Sequence, residues 1–235
     1  MRPVSRGDAP TNPSGTPRQY GHYGQAKWDL VDRIGEYCSY CEMRLPAELA
    51  VEHILPKGTN PDQELVWSNF LLACRSCNSI KRGSQDNGLT VDECLWPDRH
   101  NTFRALRYDT GGLVSSNSAA PAALVHLASN TIRMTGLDRV PGHPQLSPKD
   151  RRWMGRQTAW GCAELALANL RQSDTDEMRG QIVETAVARG HWSIWMTVFA
   201  DDPDMLQRFI DAFPGTATDC FDDQCVAVAR PGGSV

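Results

Sequence analysis

The sequence predicts an α+β chain: a small strand–loop–strand–helix module around a four-cysteine metal site, followed by a mainly α-helical C-terminal region. Three observations predict it. Two Cys-x2-Cys pairs, Cys38/Cys41 and Cys74/Cys77, have the spacing by which one tight knuckle presents two sulfurs to a single ion. Two short extended runs, residues 49–54 and 66–72, lie between the pairs. Beyond residue 119, apolar residues recur at helical spacing almost to the end of the chain.

Each element has a local reason. Residues 1–19 are rich in Pro, Gly, Ser and Thr without apolar periodicity and read as an extended arm. Ala26, Leu30, Val31 and Ile34 mark a helix over 23–34, with Gly35 as its stop. The strand over 49–54 ends at Glu52-His53, because Pro56 cannot continue a central strand. Thr59-Asn60-Pro61-Asp62 is a turn, 66–72 the second strand, and 76–82 a short helix closed by Gly83. Asp109-Thr110-Gly111-Gly112 between residues 102–108 and 113–115 predicts a β-hairpin. Helices follow over 119–134, 147–170 (Ser147 as N-cap, Pro148 in the first turn), 174–188, 192–199 and 203–213. The expected domains are the arm (1–19), the metal module (20–100), a hairpin plus helical domain (101–215) and a flexible acidic tail (216–235).

Composition narrows the class. A hydrophobic fraction of 40% and a charged fraction of 22% exclude a wholly disordered chain. No run approaches the roughly eighteen apolar residues of a spanning helix, and the N-terminus lacks an apolar signal core, so a cytoplasmic protein without a membrane partner is expected. Of the eight cysteines, the four in x2 pairs point to metal rather than to disulfides in a chain that is neither short nor signal-bearing; Cys94, Cys162, Cys220 and Cys225 lack metal-like pairing and read as buried or free thiols. The net charge of −4 is unevenly spread: residues 196–235 hold seven Asp, no Glu and two Arg, leaving about +1 for residues 1–195.

Cys38, Cys41, Cys74 and Cys77 supply the four thiolates of a closed zinc site, which has no open position and performs no chemistry itself. Chemistry must come from the thirty-two residues clamped between the pairs and from those flanking them. At the strand end, Glu52 and His53 can turn toward one cleft. Glu52 and the amide oxygen of Asn78 are hard donors suited to Mg2+ or Mn2+, and His53 is left to take a proton from water.

The pattern Cys-x2-Cys, acid-His followed by Ile54 and Pro56, a central Asn69, then Cys-x2-Cys-Asn78 with Lys81 three residues on, resembles the zinc-stabilised HNH endonuclease family over residues 36–83. The resemblance implies a ββα-metal module in which His53 is the general base, Glu52 and Asn78 hold the catalytic divalent metal, and Asn69 orients the histidine and its loop. Asn78 stands where a histidine is commoner and Glu52 where Asp is, which favours a hard cation over zinc there. The implied activity is hydrolysis of phosphodiester bonds in DNA, with Lys57, Lys81 and Arg82 neutralising nearby phosphates. The first four residues, the knuckle at 37–42, Trp96-Pro97-Asp98-Arg99-His100-Asn101 and the stretch 131–137 are similar to the HNH components of Septu-type and retron-linked anti-phage systems, which partner with an ABC-like ATPase.

Two other readings stand beside this one. The same zinc clamp could serve a module that binds nucleic acid or protein without cutting, and the motif addresses phosphate, so RNA is an alternative substrate. Lys149, Arg151, Arg152 and Arg156 crowd the start of a predicted helix whose dipole prefers acids, which points either to an anionic partner or to long side chains covering apolar surface. Trp153, Trp160, Trp192 and Trp195 read as helix core. His100, His126, His143 and His191 read as structural or surface groups.

Overall fold

The computed structural model describes residues 1–233 and 235. A single 3-10 turn over Tyr23–Ala26, capped by His22, runs into α1 (Lys27–Ile34), which buries Leu30 and Ile34. Gly35 ends it at φ 76, a left-handed value that disfavours a side chain. The strands β1 (Ala50–His53) and β2 (Phe70–Ala73) form an antiparallel pair in which Glu52 faces Leu71 and His53 faces Phe70. Every residue of β2 is buried, because the first cysteine knuckle covers it: Ser39 N donates to Leu72 O at 2.8 Å.

Helix α2 (Arg75–Asp86) completes the strand–loop–strand–helix module. Its N-cap is Cys74, whose sulfur accepts from Cys77 N at 3.4 Å. The predicted stop at Gly83 is not used. The helix runs on to Asp86, since one glycine costs only about 1 kcal/mol in a helix whose inward side continues from buried Lys81 to half-buried Gln85, bonded to it at 3.2 Å.

The C-terminal region opens with α3 (Thr102–Ala105) and the hairpin β3 (Leu106–Asp109) and β4 (Leu113–Ser116). Five helices follow: α4 (Ala122–Thr135), α5 (Arg152–Gln172), α6 (Asp176–Arg189), α7 (Trp192–Val198) and α8 (Pro203–Ala212). Helix α5 begins five residues later than Ser147 predicted. Residues 147–150 form a turn, and Asp150, not Ser147, meets the first helical N–H, at Arg152. Trp192 and Trp195 are fully buried with Phe199 and Phe209, as a helix core requires.

Both ends of the chain are tied in. The N-terminal stretch is extended, but its first residues are not a free arm. Met1 and Val4 are buried, and the Arg2 guanidinium donates to Ile34 O, Phe213 O, Pro214 O and Thr216 Oγ1. The tail expected to be flexible is packed. Cys220 and Cys225 are buried, Asn101 Nδ2 donates to Cys220 O and Val228 O at 2.8 and 2.7 Å, and Arg230 donates to Val4 O and Pro97 O. Buried carbonyls need donors, and these side chains supply them across the expected boundary at residue 100.

Candidate active site

The four sulfurs of Cys38, Cys41, Cys74 and Cys77 lie within 4.8 Å of one another, and all four residues are buried. They form the single such cluster of His, Cys, Asp and Glu ligands among the described residues. Four thiols so close cannot all ionise unaided. Burial pushes Cys38 well up and the neighbouring sulfurs push Cys41 well up, while hydrogen bonds from the other three pull Cys74 down. A soft divalent cation relieves that conflict, and four thiolates are the donor set zinc prefers.

The site has a counter-charge that sequence reading assigned elsewhere. Arg152, from the first turn of α5, donates from Nη1 to Cys77 Sγ at 2.9 Å and to Thr135 O at 2.7 Å, and is held by Asp150 at 2.6 Å. Burial works against its charge, but Cys77 and Asp150 outweigh burial and raise its pKa. Arg156, one turn on, is also buried and bonds Gly112 O and Leu137 O. The anionic partner of Arg152 is internal: four thiolates around one divalent cation would carry net negative charge, and α5 brings a guanidinium to them, while Arg156 is spent on backbone carbonyls. Lys149 and Arg151 remain exposed.

Glu42, directly after the knuckle, was not singled out. It is buried at φ 63, accepts from Ser193 N at 2.9 Å, from Ser193 Oγ at 2.5 Å and from Arg2 N at 2.5 Å, and lies 3.4 Å from the Met1 amino group. Burial alone would raise its pKa, but the ammonium and Ser193 reverse that and hold it below the ordinary carboxylate value. It fastens the zinc knuckle to the start of α7. A Cys-Glu step carries no signal of this.

Glu52 and His53 keep the alternation of a strand and have separate partners. Glu52 points into the module: its Oε1 is 2.6 Å from Lys81 Nζ and 3.4 Å from Tyr40 Oη. Burial raises its pKa, with Lys81 opposing. His53 is half-buried, edge-on to Tyr23 and Phe70 at centroid distances of 4.8 and 5.3 Å. Its Nε2 lies 2.9 Å from Glu64 O. A carbonyl only accepts, so Nε2 carries the proton and Nδ1 of the neutral ring is the free base. Burial lowers the His53 pKa below the ordinary value, which keeps that base unprotonated near neutral pH.

Asn69 is buried and clamps the intervening loop rather than the ring. It accepts from Leu55 N at 2.7 Å and donates to Leu55 O and Gln63 O at 3.0 Å each. The next residue in that loop is Glu64, whose carbonyl holds His53, so Asn69 acts on the histidine through the loop. Asn78 is half-buried on α2.

The three proposed phosphate contacts fare differently. Lys81 is buried and engaged with Glu52, His53 O and Gln85, so it is not a surface phosphate ligand; a buried carboxylate demands a cation, and Lys81 supplies it. Lys57 is exposed, paired with Glu64 at 3.0 Å and set over the Tyr23 ring. Arg82 is exposed. Cys94 and Cys220 are inert thiols, burial pushing both up to about 12.

For a second, catalytic cation, Glu52 and Asn78 offer hard oxygens of the right chemistry. The Glu52 carboxylate already has the Lys81 ammonium beside it, so a divalent ion would share or displace that contact.

The profile of the HNH endonuclease family matches residues 38–83, the segment that holds both knuckles, the β1–β2 pair and the first part of the helix bearing Asn78. The chain is also similar to the Septu protein PtuB of Bacillus thuringiensis, 41% identical over 64 residues. That match covers 26% of this chain and 24% of the relative, so about a quarter of each protein is compared. No solved structure matches the chain. Among the described residues, no helix is long and apolar enough to cross a membrane.

Proposed function

We propose that the protein is a metal-dependent endonuclease that hydrolyses phosphodiester bonds in DNA and serves as the effector nuclease of an anti-phage defence system, working with an ABC-like ATPase in the cytoplasm. The observation that carries the nuclease reading is His53: a neutral imidazole with Nε2 donated to Glu64 O, leaving Nδ1 to accept a proton, inside the segment matched by the HNH family. The defence role rests on the similarity to the Septu protein and is correspondingly confined to a quarter of the chain.

In this reading His53 takes a proton from the attacking water, and Asn69 keeps the 55–64 loop, and with it the Glu64 carbonyl, in register behind the ring. Glu52 and Asn78 hold Mg2+ or Mn2+, which supplies electrostatic stabilisation of charge on the phosphate and the leaving oxygen when bound. Exposed Lys57 and Arg82 meet flanking phosphates. The zinc site shapes this arrangement and takes no part in the chemistry.

The test is cleavage of plasmid DNA by the zinc-loaded protein with Mg2+ or Mn2+, alone and with its ATPase partner, beside His53→Ala and an RNA of matching sequence. Metal-dependent nicking lost in the variant is expected. Equal nicking by both proteins removes His53 as the base. RNA cleavage without DNA cleavage replaces the substrate, and nucleic-acid binding that survives loss of Glu52 and His53 with no cleavage under any condition replaces the enzyme with a binding module.

A further inference from the structure

We infer that a groove on the side of α2 away from Glu52 binds nucleic-acid backbone phosphates, giving the enzyme a second hold on its substrate outside the catalytic cleft. This rests on the nuclease reading above. The groove has a volume of about 590 Å³ and runs between α2 and the segment that follows α4. Ser79, Ser84 and Asn87 line one wall, and Arg133, Arg139 and Gln145 the other. No Asp or Glu is among its lining residues, although the chain as a whole carries −4.

Both guanidiniums are oriented by neutral groups. Arg139 donates from Nη2 to Gln145 Oε1 at 2.9 Å and from Nη1 to Gln145 O at 3.3 Å, and Arg133 donates to Asn130 Oδ1 at 3.2 Å. Amide and carbonyl partners fix a guanidinium without cancelling its charge, so both remain available to an anion. The placement of Arg139 depends on Gly136, the left-handed cap of α4 at φ 63, where an added Cβ would come within 2.8 Å of Arg139 Nε. The absent side chain lets the arginine lie across the end of α4, where helix carbonyls favour a cation.

The chemistry of the lining fits phosphate better than a carboxylate-bearing protein face. Two planar donor forks and the Ser79 hydroxyl present several donors to one groove, with the second N–H of Asn87 beside them after the first has gone to Gly83 O; the Ser84 hydroxyl is donated to Ile80 O, and phosphate oxygens accept several donors at once. Several acidic residues that would repel a polyanion are neutralised elsewhere, Arg179 engaging Asp174, Asp202 and Asp204 and Arg208 engaging Asp176 and Asp204; Glu93 is the acid near Arg133. Ser79, Gly83 and Asn87 recur every four residues on one side of α2, while Lys81 and Gln85 face the cleft side, where Lys81 meets Glu52 and His53 O.

The experiment is fluorescence anisotropy of two short DNA duplexes of unrelated sequence with the full zinc-loaded chain, titrated over salt in a His53→Ala background so that cutting does not interfere. Arg133→Ala/Arg139→Ala is expected to weaken binding equally for both duplexes and to make the log–log salt slope shallower by about two. Arg171→Ala, an exposed arginine on α5, is expected to leave affinity and slope unchanged. Thermal melts establish that each variant is folded. A folded double variant with unaltered affinity and slope overturns the inference, as does a parent protein that does not bind duplex even at low salt. Arginine-dependent binding of polyglutamate with arginine-independent binding of duplex also overturns it, assigning the groove to an acidic protein. Should the slope fall as expected while His53→Ala cuts as well as the parent, the groove stands and the assignment of the base fails.

Discussion

Replacing Lys81 by Met isolates the contact on which the interior of the module turns. The ammonium lies 2.6 Å from Glu52 Oε1 and 2.6 Å from His53 O, and both members of the ion pair have side chains about 4% exposed. Methionine retains the length and removes the charge, leaving a buried carboxylate without a cation. Breaking a buried pair from one side costs about 3–5 kcal/mol, a large share of a typical stability of about 5–15 kcal/mol. For a chain of this length that corresponds to a melting point lower by about 6–20 °C. The pH dependence has a definite sign. Burial already raises the Glu52 pKa, and loss of Lys81 raises it further. A carboxyl whose folded pKa exceeds its unfolded value favours the folded state below the unfolded pKa and loses that contribution as pH rises through the folded one. The deficit of Lys81→Met is therefore greatest at neutral pH and shrinks on acidification, and adding Glu52→Gln recovers most of it. Urea unfolding of the zinc-loaded variants at about pH 7.5 and about pH 5.5 measures this. A single variant within about 1 kcal/mol of the parent at both pH values refutes the reasoning.

Removing the zinc, by a chelator or by Cys77→Ala, is expected to unfold the module, because apparent zinc affinities in such sites amount to about 10–16 kcal/mol of folding free energy; metal analysis should find one zinc per chain, lost together with the cooperative thermal transition. Glu42→Ala strands Ser193 and the Arg2 amide without their acceptor and is expected to cost about 3–5 kcal/mol, read in the same melts, with no effect on zinc content of the folded fraction. If His53 is the base, its lowered pKa places the acid limb of kcat/KM below the ordinary histidine value, since the neutral ring persists to lower pH; a limb at or above that value contradicts it.

Much of the site was legible because its constraints are local. A Cys-x2-Cys knuckle needs only three residues of backbone to aim two sulfurs, so the four ligands followed from spacing, and the mixed architecture followed from short extended runs giving way to helical periodicity. Glu52, His53 and Asn78 were visible as residue types on elements whose type the chain pattern defined. What spacing could not convey was which side chains meet across the fold. Lys81 looked like a surface cation because basic residues on short helices usually are, and only the packing of α2 against β1 turned it inward to Glu52. Arg152 lies more than seventy residues from Cys77, which it meets, and its role as counter-charge became evident only when α5 was placed on the knuckle. The same holds for Glu42, for the anchored ends of the chain and for the arginines beside α2. Local sequence determined the chemical groups and the backbone that carries them. Tertiary structure decided their pairing, because a buried charge is tolerated only where the fold brings an opposite one to it, and the residue that does so is set by packing rather than by distance along the chain.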